Sequence, residues 1–156
     1  MANITVTRYH DFSYGHRVVG HESCCKHLHG HNGRVHFTCE AEKLDEVGRV
    51  IDFAVIKEKL CMWLENNWDH KFLAWEKDKL CKELVEVQRI NECGLKDSDF
   101  ETLEQSIIFV PFNPTAENMA LHLLNEVGPA QLKDTNVRLV CVSVEETSKC
   151  SATVTI

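Results

Sequence analysis

The stretch Cys24-Cys25-Lys26-His27-Leu28-His29-Gly30-His31 constrains this chain more than any other, because it packs two thiols and three imidazoles into eight residues. His29 and His31 are two positions apart. Side chains on a β-strand alternate between faces, so that spacing aims both rings the same way. Gly30 between them keeps the opposite face clear of bulk. Two neutral imidazoles on one face make half of a metal site, and zinc is the usual guest of such nitrogens. A thiol a few residues upstream offers a further ligand or a nucleophile. A third ligand must come from elsewhere.

The preceding segment supplies a candidate. Residues 3–18 alternate, with Phe12, Tyr14, His16 and Val18 on one face and Asp11, Ser13 and Arg17 on the other, which predicts a strand. Residues 29–40 continue the second strand, with Val35 and Phe37 on the face of His29 and His31. Antiparallel pairing of the two strands brings His16 opposite His29 and His31. Residues 19–28 then form the connecting loop, carrying Cys24 and Cys25 above the site. Three imidazoles and an open position match a catalytic zinc site rather than a closed structural one. The competing reading is a scatter of surface histidines, since the chain has nine. His10, His21, His27, His36 and His122 fit that reading. Cys25 can be a reactive thiol, a zinc ligand or an idle loop residue, and spacing alone does not separate it from Cys24.

Composition narrows the field. A chain of 156 residues suits one domain with its own core. No apolar run approaches the roughly 18 residues of a membrane span, and residues 1–5 lack a secretory pattern, so a cytoplasmic protein is expected. A net charge of −7 disfavours nucleic acid as a partner. Eight cysteines without an export signal read as buried small hydrophobes, not as a disulfide framework.

Further along, Asp52 caps a helix expected over about 52–66, with Phe53, Ile56, Leu60, Trp63 and Leu64 at helical spacing. Asp69 and His70 follow it. An acid beside an imidazole can orient it for proton transfer, although propensity favours a plain polar turn there. Residues 75–105 read as a charged surface excursion, helical through Leu80, Leu84, Val87 and Ile90 and interrupted near Gly94. A short strand at 106–110 leads to a helix capped by Thr115 and stopped by Gly128-Pro129. The strand at 136–147 places Val140, Val142, Val144 and Glu146 on one face, and Val137, Leu139, Cys141 and Ser143 on the other. Glu146 then points inward, where a ligand with a guanidine-like edge satisfies it; alternatively the strand has ended and Glu146 is solvated. A last strand takes 151–156. The order predicts an α+β fold, an antiparallel sheet with helices on one face.

Taken together, these segments resemble the 6-pyruvoyltetrahydropterin synthase superfamily, and within it the bacterial branch that makes 6-carboxytetrahydropterin. The resemblance rests on Phe12-Ser13-Tyr14-Gly15-His16-Arg17, Cys25-Lys26-His27-Leu28-His29-Gly30-His31, Gly48-Arg49-Val50-Ile51-Asp52-Phe53, Asp69-His70-Lys71-Phe72-Leu73, Asn113-Pro114-Thr115-Ala116-Glu117-Asn118 and Val144-Glu145-Glu146-Thr147. It implies a single tunnelling-fold (T-fold) domain over 1–156, oligomerising through its sheet into a barrel, commonly as a hexamer of two trimers. It implies zinc held by His16, His29 and His31, and a catalytic thiol at Cys25, by the three-residue gap to His29. It assigns acid/base work to Asp69 and His70, and pterin binding to Glu146 and Thr115. The implied substrate is 7,8-dihydroneopterin triphosphate, cleaved by a zinc-dependent lyase to 6-carboxytetrahydropterin, acetaldehyde and triphosphate for queuosine (7-deazaguanine) biosynthesis. The alternatives are the pyruvoyl branch, which eliminates triphosphate from the same substrate, and a non-catalytic pterin- or zinc-binding module. A folate-type branch with a glutamate beside or in place of the cysteine fits less well, since positions 25 and 26 are Cys and Lys. Two departures stand out. The usual Asp-His-x-x-Leu-Asn is here Asp69-His70-Lys71-Phe72-Leu73-Ala74, and the excursion is longer than in compact relatives.

Overall fold

The computed structural model describes residues 3–90, 94 and 96–156, with backbone alone at 87–90; Cys93 lies outside the described residues. The strands are β1 (Thr5–His16), β2 (His29–Ala41), β3 (Lys71–Trp75), β4 (Ile107–Val110), β5 (Val137–Thr147) and β6 (Cys150–Thr155). The helices are α1 (53–67), α2 (Lys79–Ile90), α3 (Asp97–Ser106) and α4 (116–132). The strands hydrogen-bond in the order β4-β3-β1-β2-β5-β6. The chain divides into two compact units, one of residues 1–12, 32–67 and 116–156, the other of 13–31 and 68–115.

In the first unit, β5 pairs antiparallel with β2 and with β6. Thr7 meets Thr38 and Asp11 meets Arg34, so β1 and β2 run in opposite directions. Alternation along β2 buries Val35, Phe37 and Cys39 completely. Asp52 caps α1, its carboxylate accepting the Ala54 N–H at 2.8 Å. Ile56, Leu60 and Leu64 of α1 and Met119, Ala120 and Leu123 of α4 are fully buried, and α4 packs on β5 and β6. Each large side chain so buried is worth about 1.5–3 kcal/mol relative to exposure.

Two expectations in this unit are corrected. Gly128-Pro129 does not stop the helix. A π-helical turn at Leu123–Val127 precedes it, and the helix runs on through Gly128–Leu132. Gly128 serves packing instead: a Cβ there would lie 2.6 Å from a methyl of Leu139. Nor does β5 alternate throughout. Thr38 pairs with Cys141 but Cys39 with Leu139, so Val140 is an extra residue. This bulge returns Leu139 and Val137 to the buried side together with Val142 and Val144.

In the second unit, β3 lies parallel to both β1 and β4. The sheet is therefore mixed, not antiparallel as expected. The cause is the connection: β3 reaches β4 through α2 and α3, the long crossover that parallel strands require. The expected interruption near Gly94 falls between those helices, where Gly94 has φ +75°. Leu80 and Leu84 remain exposed on α2. The core of this unit is Tyr14, Trp68, Leu73, Ala74, Cys81 and Val110.

Candidate active site

His16 closes β1, and His29 and His31 open β2, all within the second unit. Their ligand atoms lie within 4.8 Å of one another. Tyr14, two residues before His16, packs on His16 and His31 with ring centroids 5.1 and 5.6 Å away. Gly30 keeps the strands close, since a Cβ there would stand 2.9 Å from the Tyr14 carbonyl oxygen.

Hydrogen bonds fix the tautomers. The His16 Nδ1–H donates to the Pro114 carbonyl at 2.6 Å, and the His29 Nδ1–H to the His27 carbonyl at 2.7 Å. A carbonyl only accepts, so in both neutral rings the proton sits on Nδ1 and Nε2 offers a lone pair. Those two Nε2 atoms face each other at 3.1 Å. Two lone pairs at that separation repel unless a cation lies with them. Histidines that bind metal carry such an outer hydrogen bond on the second nitrogen. With His31 converging on these two rings, the three imidazoles make a donor set that fits zinc.

Burial keeps His16 ready as a ligand. It is 1 % exposed. Desolvation pushes its pKa down from 6.5 to about 4; His29 and His31 add to the shift, and the Pro114 carbonyl opposes it. The ring is neutral at physiological pH. The unfolded chain takes up this proton as pH falls through 6.5, while the folded protein resists until about 4. The metal-free protein is expected to lose up to about 3 kcal/mol of stability between those values. Urea unfolding of metal-free protein across that pH range measures it; a stability independent of pH there contradicts the burial of a neutral His16.

The remaining residues of the second unit are placed around short turns. Cys25 lies in a 3₁₀ turn, Cys24–Lys26, just before β2; Cys25 is half-buried and Cys24 exposed. Asp69 and His70 occupy a tight turn closed by the Lys71 N–H on the Trp68 carbonyl. His70 adopts φ +56°, a left-handed conformation costly for a residue with a Cβ. Two bonds to β1 hold it there: His70 N–H donates to the Ser13 carbonyl at 2.7 Å, and Ser13 N–H to Asp69 Oδ1 at 2.8 Å. The other carboxylate oxygen of Asp69 lies 2.5 Å from His70 Nδ1. The turn that propensity favours is therefore the same feature that brings acid and imidazole together. Asp69 is 15 % exposed and His70 81 %, so the imidazole is presented outward on a sheltered carboxylate.

Thr115 follows the carbonyl that orients His16 and donates its own N–H to Asn113 O at 2.8 Å. Glu146 belongs to the first unit. Glu145 pairs with Ser151 and Thr147 with Cys150, so Glu146 sits at a second bulge and is half-buried. Neither simple alternation nor a solvated strand end describes it, because a bulge re-aims the side chain. The neighbouring Glu145 carboxylate is occupied by His36 Nε2 at 2.7 Å.

Sequence reasoning passed over the Pro114 and His27 carbonyls, which set the two tautomers. Backbone acceptors leave no residue-type signature. His27 fits the pattern of a surface histidine, and its contribution to the site is its main-chain carbonyl.

Comparison with known proteins identifies the family. The family model described as 6-pyruvoyl tetrahydropterin synthase matches residues 5–156. The chain is 37 % identical over 147 residues to the 6-carboxy-5,6,7,8-tetrahydropterin synthase of Rickettsia typhi, covering 94 % of this chain and 96 % of that one. It is 33 % identical to the protein of the same description from Rickettsia bellii, with the same coverage. Among solved structures, an uncharacterized protein from Wolinella succinogenes superposes with a TM-score of 0.85 at 27 % identity, over 99 % of both chains. The 6-pyruvoyl tetrahydropterin synthase of Caenorhabditis elegans shares the fold, with a TM-score of 0.64 at 21 % identity over 100 % of this chain and 97 % of that one.

Proposed function

Because the chain belongs to the 6-pyruvoyl tetrahydropterin synthase family, we propose that it is a zinc-dependent 6-carboxy-5,6,7,8-tetrahydropterin synthase. The proposed reaction converts 7,8-dihydroneopterin triphosphate and one water to 6-carboxytetrahydropterin, acetaldehyde and triphosphate, a carbon–carbon and carbon–oxygen lyase step serving queuosine biosynthesis. The observation that carries this reading is the three-imidazole cluster, whose tautomers leave Nε2 of His16 and His29 as lone-pair donors.

His16, His29 and His31 would hold the zinc. When bound, zinc supplies Lewis-acid polarisation of the substrate's side-chain oxygens. Cys25, as thiolate, takes the proton from the side-chain carbon next to the ring. His70 handles the second proton transfer, with Asp69 fixing its ring and stabilising its charged form. The exposed imidazole on a held carboxylate suits that role. Glu146 accepts hydrogen bonds from the pterin 2-amino group and N3–H, and Thr115 adds a pterin contact. Glu146→Gln is expected to raise the apparent Kd for pterin about tenfold while zinc content stays unchanged. Titration with a pterin, with metal analysis alongside, measures both; unaltered pterin affinity removes Glu146 from the site.

Residues 1–156 act in this proposal as one T-fold domain, since β1 and β2 each run through both units. Copies assemble through their sheets into a hexamer of two trimers, in the cytoplasm. No helix among the described residues is long and apolar enough to cross a membrane. The second reading is elimination of triphosphate to 6-pyruvoyltetrahydropterin, favoured by the description of the matching family model. Mass spectrometry of products from zinc-loaded protein and 7,8-dihydroneopterin triphosphate separates the two. Acetaldehyde with 6-carboxytetrahydropterin supports the carboxy reaction, and a retained three-carbon side chain supports the pyruvoyl one.

A further inference from the structure

We propose that Arg17 and Asp78 are positioning residues for the Cys25 thiol, linking the first helix of the excursion to the turn that carries it. The inference rests on Cys25 being the reactive thiol. Cys24–Lys26 buries no residue, and Ser23 before it makes no side-chain cap. The two residues that follow His16 tie the turn to the end of β1. Val18 N–H donates to the Cys25 carbonyl at 2.8 Å. Arg17 Nη1 donates to the Lys26 carbonyl at 3.2 Å. The chain beyond is tied down in turn, for the Asn113 amide both donates to and accepts from the Val19 backbone at 2.9 Å.

Arg17 is itself fixed. Its Nε donates to Asp78 Oδ2 at 2.7 Å. Asp78 precedes α2 and is 1 % exposed. Its Oδ1 caps the helix by accepting the Leu80 and Cys81 N–H groups, and its Oδ2 also accepts the Cys81 thiol at 3.2 Å. A cap needs only one oxygen, and an uncharged Asn would serve as well. A carboxylate buried this deeply requires a cationic partner. Pairing with Asp78 fixes the guanidinium plane, and the planar fork then aims its other arm at the Lys26 carbonyl. The excursion thereby reaches the turn through Asp78 and Arg17, without touching the histidines' own hydrogen bonds.

The test uses the zinc-loaded protein and the variant Asp78→Asn, which keeps the helix cap and removes the charge. Zinc content is expected to stay near the unaltered protein's, while the unfolding temperature falls because Arg17 loses its buried counter-charge. The kcat is expected to fall about 100-fold with KM within about twofold. Iodoacetamide should alkylate Cys25 severalfold faster, while the rate at Cys150, exposed on β6, stays constant and serves as the internal control. Adding Arg17→Gln to Asp78→Asn should cost nothing further, because the pair acts as a unit. Should Asp78→Asn fail to fold, the double variant Arg17→Gln/Asp78→Asn, which leaves neither charge of the pair in place, gives the same readouts. An unchanged ratio of Cys25 to Cys150 alkylation in the folded, zinc-loaded variant overturns the proposal. If the unaltered protein does not turn over dihydroneopterin triphosphate, the functional reading fails, yet the alkylation ratio still decides whether Arg17 and Asp78 position the turn.

Discussion

Cys25→Ala is expected to bind zinc at the stoichiometry of the unaltered protein and to lose turnover by about 1,000-fold, the scale of a general acid–base contribution. The expectation follows from separating thiol from ligand. Three imidazoles already supply a catalytic zinc's usual protein ligands, and two of them are oriented by backbone carbonyls that owe nothing to Cys25. Cys25 stands in a separate turn before β2. Cys24→Ala is the matched control and should keep most activity, since Cys24 is exposed and has one residue too many before His29. Metal analysis and steady-state kinetics on both variants check this. Loss of zinc from Cys25→Ala would make the thiol a ligand and remove it as the base.

His29→Ala is expected to lose metal and activity together. Removing an outer hydrogen bond from a metal-bound histidine costs about 10–100-fold in affinity, and removing the ligand itself should exceed about 100-fold. The fold should survive, because His29 is only half-buried at the start of β2, away from the core of Val35, Phe37 and Cys39. Circular dichroism with metal analysis separates the two effects. Full zinc occupancy in folded His29→Ala would place the metal elsewhere.

The three-histidine cluster was legible in the sequence because strand alternation is a strong local rule. His16 shares its face with Phe12 and Tyr14, and His29 and His31 share theirs with Val35 and Phe37; one antiparallel pairing then suffices. What stayed hidden depends on breaks in that rule or on distant partners. β3 has only five residues, and its parallel partners β1 and β4 are set by the crossover, which local pattern does not encode. The contact between Asp69 and His70 needs a left-handed backbone at His70, held by Ser13. The bulges at Val140 and Glu146 change which way side chains point while leaving composition untouched. Gly128-Pro129 looked like a stop because both residues disfavour helix, but a π turn before them and close packing on Leu139 carry the helix through. The resemblance to a known family assigned roles that spacing had left open, above all Cys25 over Cys24.

Anomalous scattering at the zinc edge, from crystals of protein purified without added chelator, locates the metal. One strong peak per chain is expected within roughly 2.0–2.1 Å of a ring nitrogen of each of His16, His29 and His31. A zinc peak bound by other residues, or none at these histidines in protein that turns over dihydroneopterin triphosphate, contradicts that placement.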